Sequence, residues 1–128
     1  METELRVPVS VGELLDKITI LRIKERRIAD VGKLGRIRAE LDALLDCCRG
    51  AGIDVASHLV KELESVNEEL WNIEDRIRDK ERQKSFDAEF IELARAVYIT
   101  NDKRFALKSR LNEVAQSRYR EEKSYQSY

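Results

Sequence analysis

Residues that break helices are scarce in this chain. Its 128 residues include one proline, Pro8, and five glycines, so little interrupts long helices. The two cysteines, Cys47 and Cys48, are neighbours. With no distant cysteine to bridge to, a disulfide framework is excluded and a reducing compartment is favoured. Cys48 continues an apolar stripe and reads as a small core hydrophobe. Histidine occurs once, at His58. Zinc and di-iron bundle sites need His/Cys clusters or paired Glu-x-x-His motifs, and nucleophilic triads need a placed histidine. Neither metal nor cofactor is expected. No segment approaches the roughly 18 apolar residues of a membrane span, and the acidic start, Glu2 to Arg6, lacks the apolar core of a signal peptide. The formal net charge is −1, so no global field draws the protein to nucleic acid or anionic lipid. These absences point to a cytoplasmic protein with no membrane partner and with nothing in its overall charge to favour a nucleic-acid one.

What is present is helical. Hydrophobic residues make up 42% and charged residues 38%, and the apolar ones recur at spacings of three and four. Ser10-Val11-Gly12-Glu13 fits a capping box in which the serine hydroxyl accepts from the Glu13 N–H and the Glu13 carboxylate reaches back. Val9 and Leu14 are placed as the accompanying staple. This predicts a first helix from about Val11 to Ala29. A second covers roughly Lys33 to Arg49, with Leu34, Ile37, Leu41, Leu44 and Cys48 on one seam, and is stopped by Gly50-Ala51-Gly52. The third begins between Asp54 and Ser57 and ends near Arg82. A short turn at Gln83-Lys84-Ser85 leads to a fourth that starts near Ser85 or Asp87 and reaches about Ser117. The expected fold is all-α: an antiparallel bundle of about four helices, with a long third/fourth hairpin packed on a shorter first/second one. Residues 1–118 form one domain and 119–128 a polar tail rich in tyrosine, for which disorder and docking both stand open. The long hairpin overhangs its partner, and the first helix is apolar on a second face through Ile20 and Ile23. Both features predict a homo-oligomer.

Charge interrupts the apolar stripes at matching depths. Asn101, Arg104 and Lys108 break the fourth helix's stripe, and Asn67 and Glu74 break the third's. Glu25 falls on the face of Leu14, Ile18, Leu21 and Ile28. Unpaired charge is expensive to bury. If the last two helices fold back near residue 84, Glu25, Asn67, Asn101 and Arg104 fall in one layer across three helices. The layer reads either as a Glu25–Arg104 pair completed by amides, fixing register, or as a pocket. In the pocket reading, Arg104 and Lys108 hold an anion while Glu25 or Glu74 binds hydroxyls or moves a proton. Trp71 reads as a packing anchor. Gly32-Lys33-Leu34-Gly35 is too short for a phosphate-binding loop, and Glu89 with Glu92 lacks the companion acidic pair of a helical pyrophosphatase.

Pro8-Val9-Ser10-Val11-Gly12-Glu13-Leu14-Leu15-Asp16-Lys17-Ile18-Thr19-Ile20-Leu21 resembles the opening of a family of short bacterial and phage proteins whose function is unknown. The similarity resumes at Leu70–Asp75, Phe90–Arg95 and Thr100–Arg104 and continues to Glu122–Tyr125, nearly the whole chain. No activity comes with it. Some members lie among surface-polysaccharide genes, which implies a connection to sugar or nucleotide-sugar chemistry. The resemblance also draws attention to Asp16, Lys17, Glu74, Arg95, Asn101, Asp102 and Arg104 as a set. Two functions from different classes follow. One is a self-associating binding or assembly module with a protein partner. The other is a small enzyme or ligand-binding protein that uses the charged layer on an anionic metabolite.

Overall fold

The computed structural model describes residues 2–128 and contains four helices: α1 (Val11–Arg27), α2 (Val31–Ala51), α3 (His58–Arg82) and α4 (Ala88–Val114). The fold is an all-α bundle, as the periodicity predicts. Each helix starts on a side-chain cap: Ser10, Asp30, Ser57 and Asp87 each accept the backbone N–H three residues on, satisfying one of the donors a helix start leaves unpaired. The Asp30 cap starts α2 two residues earlier than the sequence predicts, and α4 stops at Val114, short of Ser117.

Three of the four helix ends share one device, α1 ending instead on the extended Ile28. At Gly52, Lys84 and Gln116 the backbone turns left-handed, with φ of 69°, 54° and 52°. Paired bonds close each end: Gly52 N–H to Arg49 O with Ile53 N–H to Cys48 O, and Lys84 N–H to Glu81 O with Ser85 N–H to Lys80 O. At the third, Gln116 N–H bonds Glu113 O and Ser117 N–H bonds Asn112 O. This is the Schellman arrangement, and only α2 uses a glycine for it.

α1 is the organising helix. It packs on α2, α3 and α4, whereas α2 packs on α1 alone. The core gathers around it: Leu15, Ile18 and Leu21 of α1, Leu41 and Cys48 of α2, Val60 and Leu63 of α3, and Leu111 of α4. Burying such side chains contributes roughly 1.5–3 kcal/mol each. Cys48 is fully enclosed, and burial beside Cys47 pushes its thiol pKa up. The central position of α1 also accounts for its second apolar face. Ile23 is 1% exposed inside the single chain, so that side chain is consumed within the subunit, whereas Ile20 is only partly buried.

At the other end α3 and α4 pack on each other only. Ile73 and Leu93 are buried there, but Phe86 and Ile91 are more than half exposed. Trp71 is half-buried, with the Arg27 guanidinium 5.7 Å from its ring centre. No helix among the described residues is long and apolar enough to cross a membrane.

Candidate functional site

α1 and α4 run antiparallel, so the start of α1 meets the end of α4. Three N–H groups at that start find side-chain acceptors. Val11 N–H donates to Ser117 Oγ at 3.0 Å, Gly12 N–H to Asn112 Oδ1 at 2.6 Å and Glu13 N–H to Ser10 Oγ at 3.1 Å. The helices touch at Gly12. A Cβ there would lie 2.6 Å from the Lys108 carbonyl oxygen, so only glycine admits the approach.

One turn further, Asp16 is 1% exposed and its carboxylate is fully partnered. Arg104 grips it with both arms, Nε to Oδ1 at 2.9 Å and Nη2 to Oδ2 at 2.5 Å. Asn67 Nδ2 donates to Asp16 Oδ1 and to Thr19 Oγ1, each at 2.9 Å. Thr19 in turn donates to the Asp16 carbonyl at 2.7 Å. Lys108 lies beside this group with its side chain 8% exposed, 2.8 Å from Glu13, 2.9 Å from Glu121 of the tail and 3.9 Å from Asp16. The bond to Asp16 raises the Arg104 pKa against the opposing effect of burial. Burial likewise disfavours the Lys108 cation, but its bonds to Glu13 and Glu121 outweigh that and the net shift is upward. Both cations stay charged. Among the described residues every buried side-chain nitrogen and oxygen has a partner.

A polar layer across three helices is therefore present, with different membership from the one the sequence predicts. Asn67, Arg104 and Lys108 lie in it. Glu25 does not: it is at the surface, 3.3 Å from Arg38, and Asp16 holds Arg104 instead. The expected depth match placed the wrong face of α1 on the hairpin. Gly12, Asp16, Thr19 and Ile23, themselves spaced by four, three and four, form the face that meets α3 and α4, and that spacing was the signal available in the sequence. Glu74 also lies outside the layer, pairing with Arg78 one turn on. Lys17 pairs with Glu40 on the surface, and Arg95 is exposed. The Glu13 carboxylate goes to Lys108 rather than reaching back to its own cap, and Val9 stays exposed.

Asn101 and Asp102 belong to a second feature. The tail folds back along α4. Tyr128 stacks edge-on against Tyr98 with ring centres 5.2 Å apart, and its hydroxyl donates to Asp102 at 2.6 Å, a bond that raises the phenol's pKa. The Lys123 ammonium stands 5.0 Å from the Phe105 ring centre and 5.8 Å from that of Tyr125. Between tail and helix is a cavity of about 710 Å³. Val97, Tyr98, Asn101, Asp102 and Phe105 line it from α4, and Lys123 and Tyr125–Tyr128 from the tail. A smaller one of about 420 Å³ lies on the distal hairpin between Asn72, Arg76, Glu89 and Glu92. Glu89 there is held by Lys80 and Arg76, which lower its pKa. Among the described residues no group of three or more His, Cys, Asp or Glu side chains is placed to hold a metal ion.

Compared with known families, residues 5–128 match the model of a family of unknown function (DUF6165). The chain belongs to this family. No curated protein and no solved structure matches it. The family match spans α1 to α4 and the tail alike, so the Asp16–Arg104 layer and the tail groove both lie inside the matched region.

Proposed function

We propose that this DUF6165 member is a self-associating binding module in which the polar layer holds the framework in register and the tail-lined face of α4 does the binding. One observation carries this reading. The cations of the layer are occupied by the chain's own carboxylates, whereas the larger cavity lies one face away, under a segment held by aromatic and cation–π contacts. Asp16, Glu13 and Glu121 surround Arg104 and Lys108, three negative charges to two positive ones. An anionic metabolite would have to displace a carboxylate without gaining an unpaired cation, which disfavours the enzyme reading. The face under the tail offers tyrosine and phenylalanine rings with amide and carboxylate groups between them, a surface suited to an extended aromatic segment. The uncovered distal hairpin with exposed Phe86 and Ile91 supports association in the same sense. The proposed setting is the cytoplasm, where the exposed, unpaired Cys47 stays reduced.

Sedimentation equilibrium of the full chain tests the reading, with inorganic phosphate titrated in a parallel melting experiment. Association at tens of micromolar, an order-of-magnitude range for weak contacts, with a melting temperature unmoved by millimolar phosphate, is the expected outcome. A chain that stays monomeric and melts several degrees higher with phosphate, as mass action requires of a bound ligand, would overturn it in favour of the anion-binding alternative.

A further inference from the structure

We propose that α4 ends in a hinge at Gln116, and that straightening it sends residues 118–128 onto the α4 groove of a second copy, so that two chains exchange C-terminal segments. The proposal rests on the self-association reading above and specifies its interface.

The first support is local. Between Gly52 and Tyr128 the sequence contains neither glycine nor proline, so nothing in composition ends α4 at Val114. The helix stops because Gln116 adopts φ 52°, allowing Gln116 N–H to reach Glu113 O at 3.2 Å and Ser117 N–H to reach Asn112 O at 2.8 Å. That position normally takes glycine, because a Cβ is strained in the left-handed region. Glutamine is instead a good helix former, and Gln116-Ser117-Arg118-Tyr119-Arg120-Glu121-Glu122-Lys123 contains nothing that forbids helix. The reversal therefore runs against local preference, and straightening relieves it. Opposing this is the Ser117 Oγ acceptor for Val11 N–H at 3.0 Å, which exists only while the chain turns back.

The second support is how the tail is held. Beyond Ser117 the described residues make no backbone-to-backbone hydrogen bonds. The contacts are side-chain ones: Glu121 on Lys108 at 2.9 Å, Lys123 over Phe105, and Tyr128 on Tyr98 and Asp102. Each receiving group is on α4, so a second copy presents the same set. The exchanged arrangement keeps these contacts, and with them the cavity of about 710 Å³ between tail and helix, so the hinge alone sets which copy is engaged. The direction also suits exchange. Glu121 reaches Lys108 while Tyr128 reaches Tyr98, so the tail runs antiparallel to α4. A straightened hinge then places two α4 helices antiparallel about a two-fold axis, each groove covered by the other's tail. Such a contact is reciprocal and closes at two chains.

Residue 116 sets the balance, and the test varies it in the full chain. Sedimentation velocity over a concentration series compares the wild type with Gln116→Gly and Gln116→Ala. Glycine relieves the turn and penalises the helix in both chains of a dimer, so dimerisation is expected to weaken about tenfold or more. Alanine keeps the turn strained and favours the helix, so dimerisation is expected to tighten about threefold. A dimer whose affinity is the same in all three proteins overturns tail exchange and leaves self-association standing through another surface. Three proteins that all remain monomeric overturn both.

Discussion

Gly12 is the residue at which α1 and α4 come closest, and its replacement is the sharpest test of their packing. An added methyl meets the Lys108 backbone carbonyl at 2.6 Å and Asn112 Oδ1 at 3.0 Å. The first of these cannot yield by a rotamer change. Gly12→Ala is expected to destabilise the fold by about 2 kcal/mol, a usual cost of overpacking a close contact, read as a lower urea midpoint with unchanged slope. An unchanged midpoint would mean that the helices are further apart than described. Four residues on from Gly12 is Asp16, whose carboxylate Arg104→Ala strands at a cost of about 3 kcal/mol. The double change Asp16→Leu with Arg104→Met should recover more than half of that, because the buried pair itself adds little net stability. A double variant no better than the single one would show that the layer contributes through its hydrogen bonds to Asn67 and Thr19. Arg104, Lys108 and Asn67 were legible in the sequence because each interrupts an apolar stripe. Asp16 was visible only through the family resemblance, since its stripe of glycine, aspartate, threonine and isoleucine does not look apolar.

At the scale of the helices, starts were easier to read than stops. Ser10 announces itself through its capping box, and the glycine-rich stretch at 50–52 marks the end of α2. The starts of α3 and α4 are narrowed to Asp54–Ser57 and to Ser85 or Asp87, where Ser57 and Asp87 prove to be the caps. The ends of α3 and α4 carry no such mark, because Lys84 and Gln116 occupy the left-handed position that glycine usually fills. Sequence placed the α3–α4 turn by length and polarity, and it carried α4 three residues too far for want of a stop signal. The strain at Lys84 predicts a gain. Lys84→Gly is expected to stabilise the protein by about 0.5–1 kcal/mol, since the turn no longer crowds a Cβ, partly offset by the freer unfolded chain. Thermal melts at matched pH measure it. A loss of stability would mean that the Lys84 side chain contributes more to the turn than its backbone costs.

Across the whole molecule, stability is distributed unevenly, and the distribution follows from α1. Its contacts with the hairpin gather on the half that holds Val60, Leu63, Asn67, Arg104 and Leu111, so that half has a three-helix core. The distal half is a two-helix arm with Ile73 and Leu93 between its helices. The sequence showed the overhang from helix lengths alone. What it could not show was that Ile23, on the second apolar face of α1, is buried inside one chain, because periodicity counts faces without saying which neighbours cover them. The arm's tip depends on charge instead. Lys80 bonds Asp87 at 2.8 Å and Glu89 at 3.1 Å, and Arg76 bonds Glu89 at 3.1 Å. The Lys80 bond and the Phe90 N–H hold the Asp87 carboxyl down at a pKa of about 2, against an ordinary 3.8, and Glu89 is lowered in the same direction. A carboxyl depressed in the folded state stabilises it fully above its unfolded pKa and loses that contribution as pH falls through the folded one. The tip should therefore loosen as pH drops from about 4 towards 2, before the core around Leu15 and Ile18 opens. Hydrogen exchange followed by mass spectrometry over that range is expected to show protection falling first in residues 76–92 and last in residues 12–21. Added salt at neutral pH should weaken the tip in the same order, since these pairs are exposed and screened. Simultaneous loss of protection in both regions would mean that arm and core unfold as one unit.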